Sequence, residues 1–333
     1  MGIFTESKAS LIGINGKFTP DFTSKITEMK NSLEIDHNCY SGSSYENLCE
    51  YAGRICYKSG LYGKKNRPSK EYHEHIRKSE HHSIYGHSML TFKFRDFLDF
   101  SNFCVYFAGV PGWYPSREKH GNYITINFRF MENMSNKISS EWETLFHYLY
   151  AFFLKKAPAI FRDLEAKSNA IYNIDLLDDV SKIDGVHTWY TFEIVTSRRI
   201  AQELTRHGFQ SAISMESSRY VPLLNNGLIV HPMINQLLHN EDFIKLKQST
   251  DSLYRVIEES VYQQLKNSGE DLSFSKKQAR GAATGTQMLS QACTIIYSCS
   301  KIELKTQIFR QRLNNSADLE INHLVGLMKK NFQ

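Results

Sequence analysis

The chain has 333 residues, of which 41% are apolar and 23% charged, and its 40 basic against 35 acidic side chains give a net charge of +5. This is enough material to bury a full core, in the proportions of an ordinary globular protein. The mild charge excess does not mark a nucleic-acid binder, and no apolar run approaches the roughly 20 residues of a membrane helix, so neither partner is expected.

The opening MGIFTESKASLIG lacks the apolar core of a secretory signal, and Glu6 stands where a myristoylation motif wants Ser or Thr. The six cysteines include no C-x-x-C pair. Reduced thiols and a cytoplasmic location are expected. Residues 1–42 read as an irregular or lightly structured N-terminal extension. SSYENLCEYAGRICYKSG reads as a helix capped by Ser43 or Ser44 and ended near Gly60. A loop and a short helix from about Ser69 follow, then HHSIYGHSMLTFKF, whose second half is rich in strand formers. YITINFRF, residues 123–130, alternates apolar and polar side chains and predicts one strand throughout.

SSEWETLFHYLYAFFLKK predicts a buried helix with a capping box from Ser140 to Glu143, ending near Pro158. WYTFEIV predicts a strand. In the helix SRRIAQELTRH, Ile200, Ala201 and Leu204 face inward, and Glu203 sits one turn from Arg199 and His207 on a polar side. A long helix is expected over Glu241–Asn267 and a last one from Ser316. His87-Ser-Met-Leu-Thr-Phe-Lys-Phe echoes His187-Thr-Trp-Tyr-Thr-Phe-Glu-Ile at three of eight positions, as two similar strands of one sheet would.

ELTRHGFQSAISMESSRYV, residues 203–221, crowds Arg206, His207 and Arg219 beside Glu203, Glu216 and four serines. Two guanidinium forks with hydroxyl donors suit a phosphate, a carboxylate or the imide edge of a pyrimidine. A surface ion-pair network joining Glu203 and Glu216 to the arginines is the other reading. His73, His75, His81 and His82 lack a ligand set with metal spacing and read as a solvated helix end, so no metal is expected.

The same stretch resembles the signature of the flavin-dependent thymidylate synthases. So, in the family's order, do YAGRICYKSG, HHSIYGH, SRRIAQELTRH, KKQARGAA and FRQRLNNSADLEI. The resemblance implies an α+β fold: a central, mostly antiparallel sheet flanked by helices. It implies a single catalytic domain over 43–333 with a partly helical insertion at about 95–188, assembled as a homotetramer. The implied reaction is transfer of a one-carbon unit to C5 of a pyrimidine nucleotide, most simply dUMP to dTMP, with FAD as cofactor and methylenetetrahydrofolate and NADPH as cosubstrates. Another uridylate, hydroxymethylation, or a non-catalytic nucleotide-binding or assembly role stay open. Glu203, Arg206, Ser217, Ser218 and Arg219 fall at substrate-binding positions, and Glu216 is grouped with them. Ser83, His87, Arg206 and His207 fall at flavin positions. Arg312 falls at the arginine that polarises the uracil.

The chain departs from the family pattern at several places. Gly208 stands for the third residue of Arg-His-Arg, Gly86 for a Glu, Thr284 for a second substrate arginine, Ser316 for a histidine, and Lys301-Ile302-Glu303 for Asn-x-Arg. Each lost arginine removes a charge-assisted contact of ~1.5–3 kcal/mol. TINFR, residues 125–129, repeats the lost T-x-N-x-R pattern, so Asn127 and Arg129 are expected to take over part of the flavin contact.

Overall fold

The computed structural model describes residues 4–135, 137, 143–161, 171–183, 185–207, 211–217, 226–229, 291–313 and 318–332, with single residues of the stretch 241–267. The chain begins with strands β1 (Phe4–Thr5), β2 (Lys8–Ile14) and β3 (Lys17–Phe18) and helix α1 (Pro20–Asn31). The irregular or lightly structured lead-in expected over 1–42 is therefore corrected to three strands and a helix. Ala9 and Ile12 of β2 are buried, and Thr19 caps α1 ahead of a proline already fixed at a helical φ.

Helices α2 (Ser44–Tyr57) and α3 (Ser69–Lys78) follow where expected. Ser43 and Glu46 satisfy each other's backbone N–H groups, and Lys58, at φ 45°, ends α2. Glu46 also accepts the Ala159 N–H at 2.6 Å, which ties α2 to a segment 113 residues away. Ser43→Ala should cost about 1 kcal/mol, measured as a lower urea midpoint at unchanged slope. Buried Arg54 donates to Glu50 at 2.7 Å and lies over the Tyr72 ring. His73 is also buried, not solvated as expected.

A 3₁₀ turn, His82–His87, leads to β4 (Met89–Phe94), α4 (Phe97–Tyr106), β5 (Trp113–Glu118) and β6 (Gly121–Asn127). Then come α5 (Phe128–Met134), α6 (Glu143–Lys156) and β7 (Ile174–Leu177). The single strand expected over 123–130 stops at Asn127, because its side chain accepts the Phe130 N–H at 2.8 Å and starts a helix. Phe128 and Phe130 thus enter the core from α5. α6 is well buried as expected, while Ser140 lies outside the described residues. The order β5-β6-β4-β7 makes a four-stranded antiparallel sheet over an aromatic core that includes Phe92, Phe103 and Phe153.

Next are β8 (Trp189–Ser197), α7 (Arg198–Leu204), β9 (Ser211–Met215), β10 (Leu228–Ile229) and β11 (Ala292–Ser300). Helix α8 runs from Lys301–Glu303 through a π-helical turn, Leu304–Phe309, into Arg310–Arg312, and α9 (Leu319–Lys330) starts under an Asp318 cap. The helix expected over Glu241–Asn267 lies largely outside the described residues, as does Ser316.

The order β3-β2-β8-β11-β9 makes a five-stranded antiparallel sheet, with α7, α8 and α9 packed on one core. The fold is α+β, as expected. The two echoing segments do not share a sheet, however. β4 is bonded on both edges by β6 and β7, and β8 by β2 and β11, so neither has an edge left for the other. Among the described residues no helix is long and apolar enough to cross a membrane, and no cluster of three potential metal ligands occurs.

Candidate functional site

Ser197 caps α7, which buries Ile200, Ala201 and Leu204 and leaves its polar side facing α8 and α9. That side does not pair within the helix as the i, i+4 spacing suggests. Arg199 turns to the start of α9, donating to Asp318 at 3.0 Å and Glu320 at 2.7 Å. Two carboxylates at the start of one helix take Arg199 in place of Glu203, and their hydrogen bonds, led by that of Asp318, raise the Arg199 pKa. Glu203 pairs instead with Arg312 of α8 at 2.8 Å, both side chains being about one-fifth exposed (20% and 22%).

Arg206 extends into solvent from the 3₁₀ turn Thr205–His207 that follows, and His207 ends the same turn. Glu216, 1% exposed, is held in a different knot. It pairs with Lys58 at 2.8 Å and accepts from Asn226 at 2.8 Å and from the Thr294 N–H at 3.1 Å. The Ser217 N–H donates to the Cys56 carbonyl at 2.8 Å. Ser218 and Arg219 lie outside the described residues. The structure therefore brings Glu203 and Arg312 together and anchors Glu216 to the end of α2.

Ser83 is exposed on the 3₁₀ turn that ends in His87. His87 is fully buried, with Nδ1 2.8 Å from Ser298 Oγ and Nε2 2.9 Å from Ser214 Oγ, and loss of solvent pushes its pKa down to about 3. Asn127 is buried as the cap of α5, whereas Arg129, two residues on, is exposed. Both line a cleft of about 690 Å³ with Trp113, Tyr114, Asn133 and Ser211, a size ordinary for a small-molecule site.

Residues 186–333 match the family model of the thymidylate synthase complementing proteins. The match takes in Glu203, Arg206, Glu216 and Arg312 and begins one residue before His187. Ser83, His87, Asn127 and Arg129 precede it. No curated protein sequence matches the chain. Among solved structures, thymidylate synthase X from Helicobacter pylori with FAD and dUMP is 20% identical over 44% of this chain and 68% of that one, at a TM-score of 0.28. A UMP/dUMP methylase, PolB from Streptomyces cacaoi, bound with 5-Br dUMP, is 15% identical over 60% and 80% of the two chains, at a TM-score of 0.34.

Sequence reasoning did not find Lys58, Asn226, Ser214 or Ser298 as partners of the site residues. Lys58 was the most accessible of these, because a residue two before Gly60 at a helix end is well placed to turn toward a buried acid. The aromatic wall at Trp113 and Tyr114 lies in AGVPGWYPSREKHGN, whose Gly and Pro content reads as a loop but which forms β5 in the structure.

Proposed function

We propose that the chain is a flavin-dependent enzyme that transfers a one-carbon unit to C5 of a pyrimidine nucleotide, most simply dUMP to dTMP with methylenetetrahydrofolate and NADPH. The observation that carries this reading is the Glu203–Arg312 pair, which lies inside the family-matched segment. The carboxylate fixes a guanidinium between two helices. A cation aimed at the imide favours its ionised form, and the negative charge then raises the nucleophilicity of C5. Arg206 and Ser217 would bind the nucleotide, together with Ser218 and Arg219 of the segment outside the described residues, and buried Glu216 would hold the strand end that leads into Ser217.

Two observations support a flavin: Arg129 lines a cleft with the size for its ring, and Ser83 is exposed on the turn that ends in His87. Arg206 and His207 would approach it from the end of α7. His87, with both nitrogens engaged, and Asn127, whose Oδ1 caps α5, would brace the frame. Bound and reduced, the flavin would supply the hydride that completes the methyl group. The resemblance implies a homotetramer, and the cysteines, with no C-x-x-C pair, suit a cytoplasmic location.

Purified protein should be yellow or become so with added FAD, and should release tritium from 5-labelled dUMP when folate and NADPH are supplied. Colourless protein that takes up no flavin would sink the reading. Flavin binding without tritium release would move it to another uridylate.

A further inference from the structure

The echo between β4 and β8 belongs to a larger repetition. β4 and β6 pair Thr91 with Thr125 and Met89 with Asn127, while β8 and β11 pair Thr191 with Ser298 and Trp189 with Ser300. A shift of 100 carries Thr91 to Thr191 and Met89 to Trp189, and a shift of 173 carries Thr125 to Ser298 and Asn127 to Ser300. The edge strands follow the same rule. β5 sets Ser116 against Tyr123, and β9 sets Ser214 against Ile296, which is 173 beyond Tyr123. Asn127 caps α5 and Ser300 caps α8. The Phe128 N–H donates to the Ser88 carbonyl at 2.9 Å, and the Lys301 N–H to the Thr188 carbonyl at 2.7 Å.

The two units also meet reciprocally. His87 of the first lies between Ser214 and Ser298 of the second. His187 of the second lies between Ser116, at 2.7 Å, and Thr125, at 2.8 Å, of the first. Behind each histidine a further hydroxyl completes the chain, with Thr191 2.7 Å from Ser298 and Thr91 2.7 Å from Thr125. The outer strands are exchanged as well: β2, which precedes the first unit, lines the second sheet, and β7, which precedes the second unit, lines the first. Contacts of i with j matched by j with i are those of a twofold interface.

We propose that the chain is a fused pseudo-dimer of one repeated unit, and that the cleft at its seam beside Arg129 binds a phosphate-bearing planar ring, with the phosphate on Arg129. This rests on the flavin-nucleotide reading above and adds which unit supplies the contact. The cleft takes Trp113, Tyr114 and Arg129 from the first unit and Val186 and Ser211 from the second, and among the described residues no acidic side chain lines it. A planar guanidinium fork suits a phosphate, and aromatic rings suit a flat heterocycle. Under the 173-residue shift the counterpart of Arg129 is Ile302, which cannot grip an anion. The two seams have diverged, and the first unit carries the cation that the second has lost.

Titrations of FAD and riboflavin, followed by quenching of flavin fluorescence, test this. Arg129 is exposed, so Arg129→Ala should fold normally. Its affinity for FAD should fall about 10- to 100-fold, the loss of one charge-assisted contact, while riboflavin, which has no phosphate, binds within about twofold of the wild type. Ser211→Phe, which fills the cleft from the second unit, should weaken both ligands. Unchanged FAD binding by Arg129→Ala, equal loss of FAD and riboflavin, or indifference to Ser211→Phe would each overturn the proposal while leaving the flavin reading intact. Wild-type protein that binds neither FAD nor dUMP would remove both. Arg129-dependent FAD binding without tritium release would remove only the reaction.

Discussion

Acidification from pH 8 to pH 5 should lower the unfolding free energy by about 4 kcal/mol through two histidines alone. His73 and His87 are buried, and both pKa values are pushed from 6.5 to about 3. Loss of solvent is the cause at His87. At His73 it is the leading cause, and the Arg54 charge adds to it. Both rings are therefore neutral in the folded chain, while below pH 6.5 the unfolded chain takes up protons that the fold refuses. Their stabilising effect is complete above pH 6.5 and is lost progressively as the pH falls toward 3. Each histidine contributes a slope of about 1.4 kcal/mol per pH unit once the unfolded form is protonated, so the pair approaches about 2.7. Against a total stability of about 5–15 kcal/mol this is a large fraction. Urea midpoints between pH 7 and pH 5 measure it, a window in which most carboxylates stay ionised. His87→Gln keeps a side chain able to bond both serines and should roughly halve the slope. A stability that stays flat across this window would mean that neither ring is closed off from water.

The elements whose periodicity is strong were legible in the sequence. α2, α6 and β8 fall close to their expected places because each carries a cap or a strong apolar pattern, and α3 because Tyr72 and Ile76, one turn apart, share a buried face. The failures came where two local signals competed. Asn127 continues the alternation of β6 and is also a good cap, and the cap prevails because Phe128 and Phe130 reach the aromatic core from a helix. β2 was missed because KASLIGI is short and its burial depends on β8, some 180 residues later. The repeat was visible only as three matches in eight positions, since hydroxyl partners such as Thr125 and Ser298 interchange without leaving a pattern. In the candidate site, no spacing rule links Glu203 to Arg312. The family resemblance placed both in one site, and they meet. It also named His87, whose burial between two serines depends on strands that follow it by more than 120 residues.

Replacing Arg312 by Ala should lower kcat about 10²- to 10³-fold with little change in KM, if its guanidinium stabilises charge that develops only as C5 attacks. The pair itself contributes little to folding. At one-fifth exposure and 2.8 Å it remains partly screened by solvent, and its loss should cost on the order of 1 kcal/mol or less. A rate loss of about 3–4 kcal/mol beside a small change in the urea midpoint would therefore separate a catalytic role from a structural one. Arg312→Lys keeps the charge without the planar fork, so it should recover only part of the rate. Glu203→Gln retains an oxygen acceptor for Arg312 but removes the charge that orients it, so a milder loss of about tenfold is expected, again in kcat. Wild-type kcat in Arg312→Ala would place the electrostatic work elsewhere. Arg199 cannot take it over without giving up Asp318 and Glu320, the contacts that dock α9 against α7.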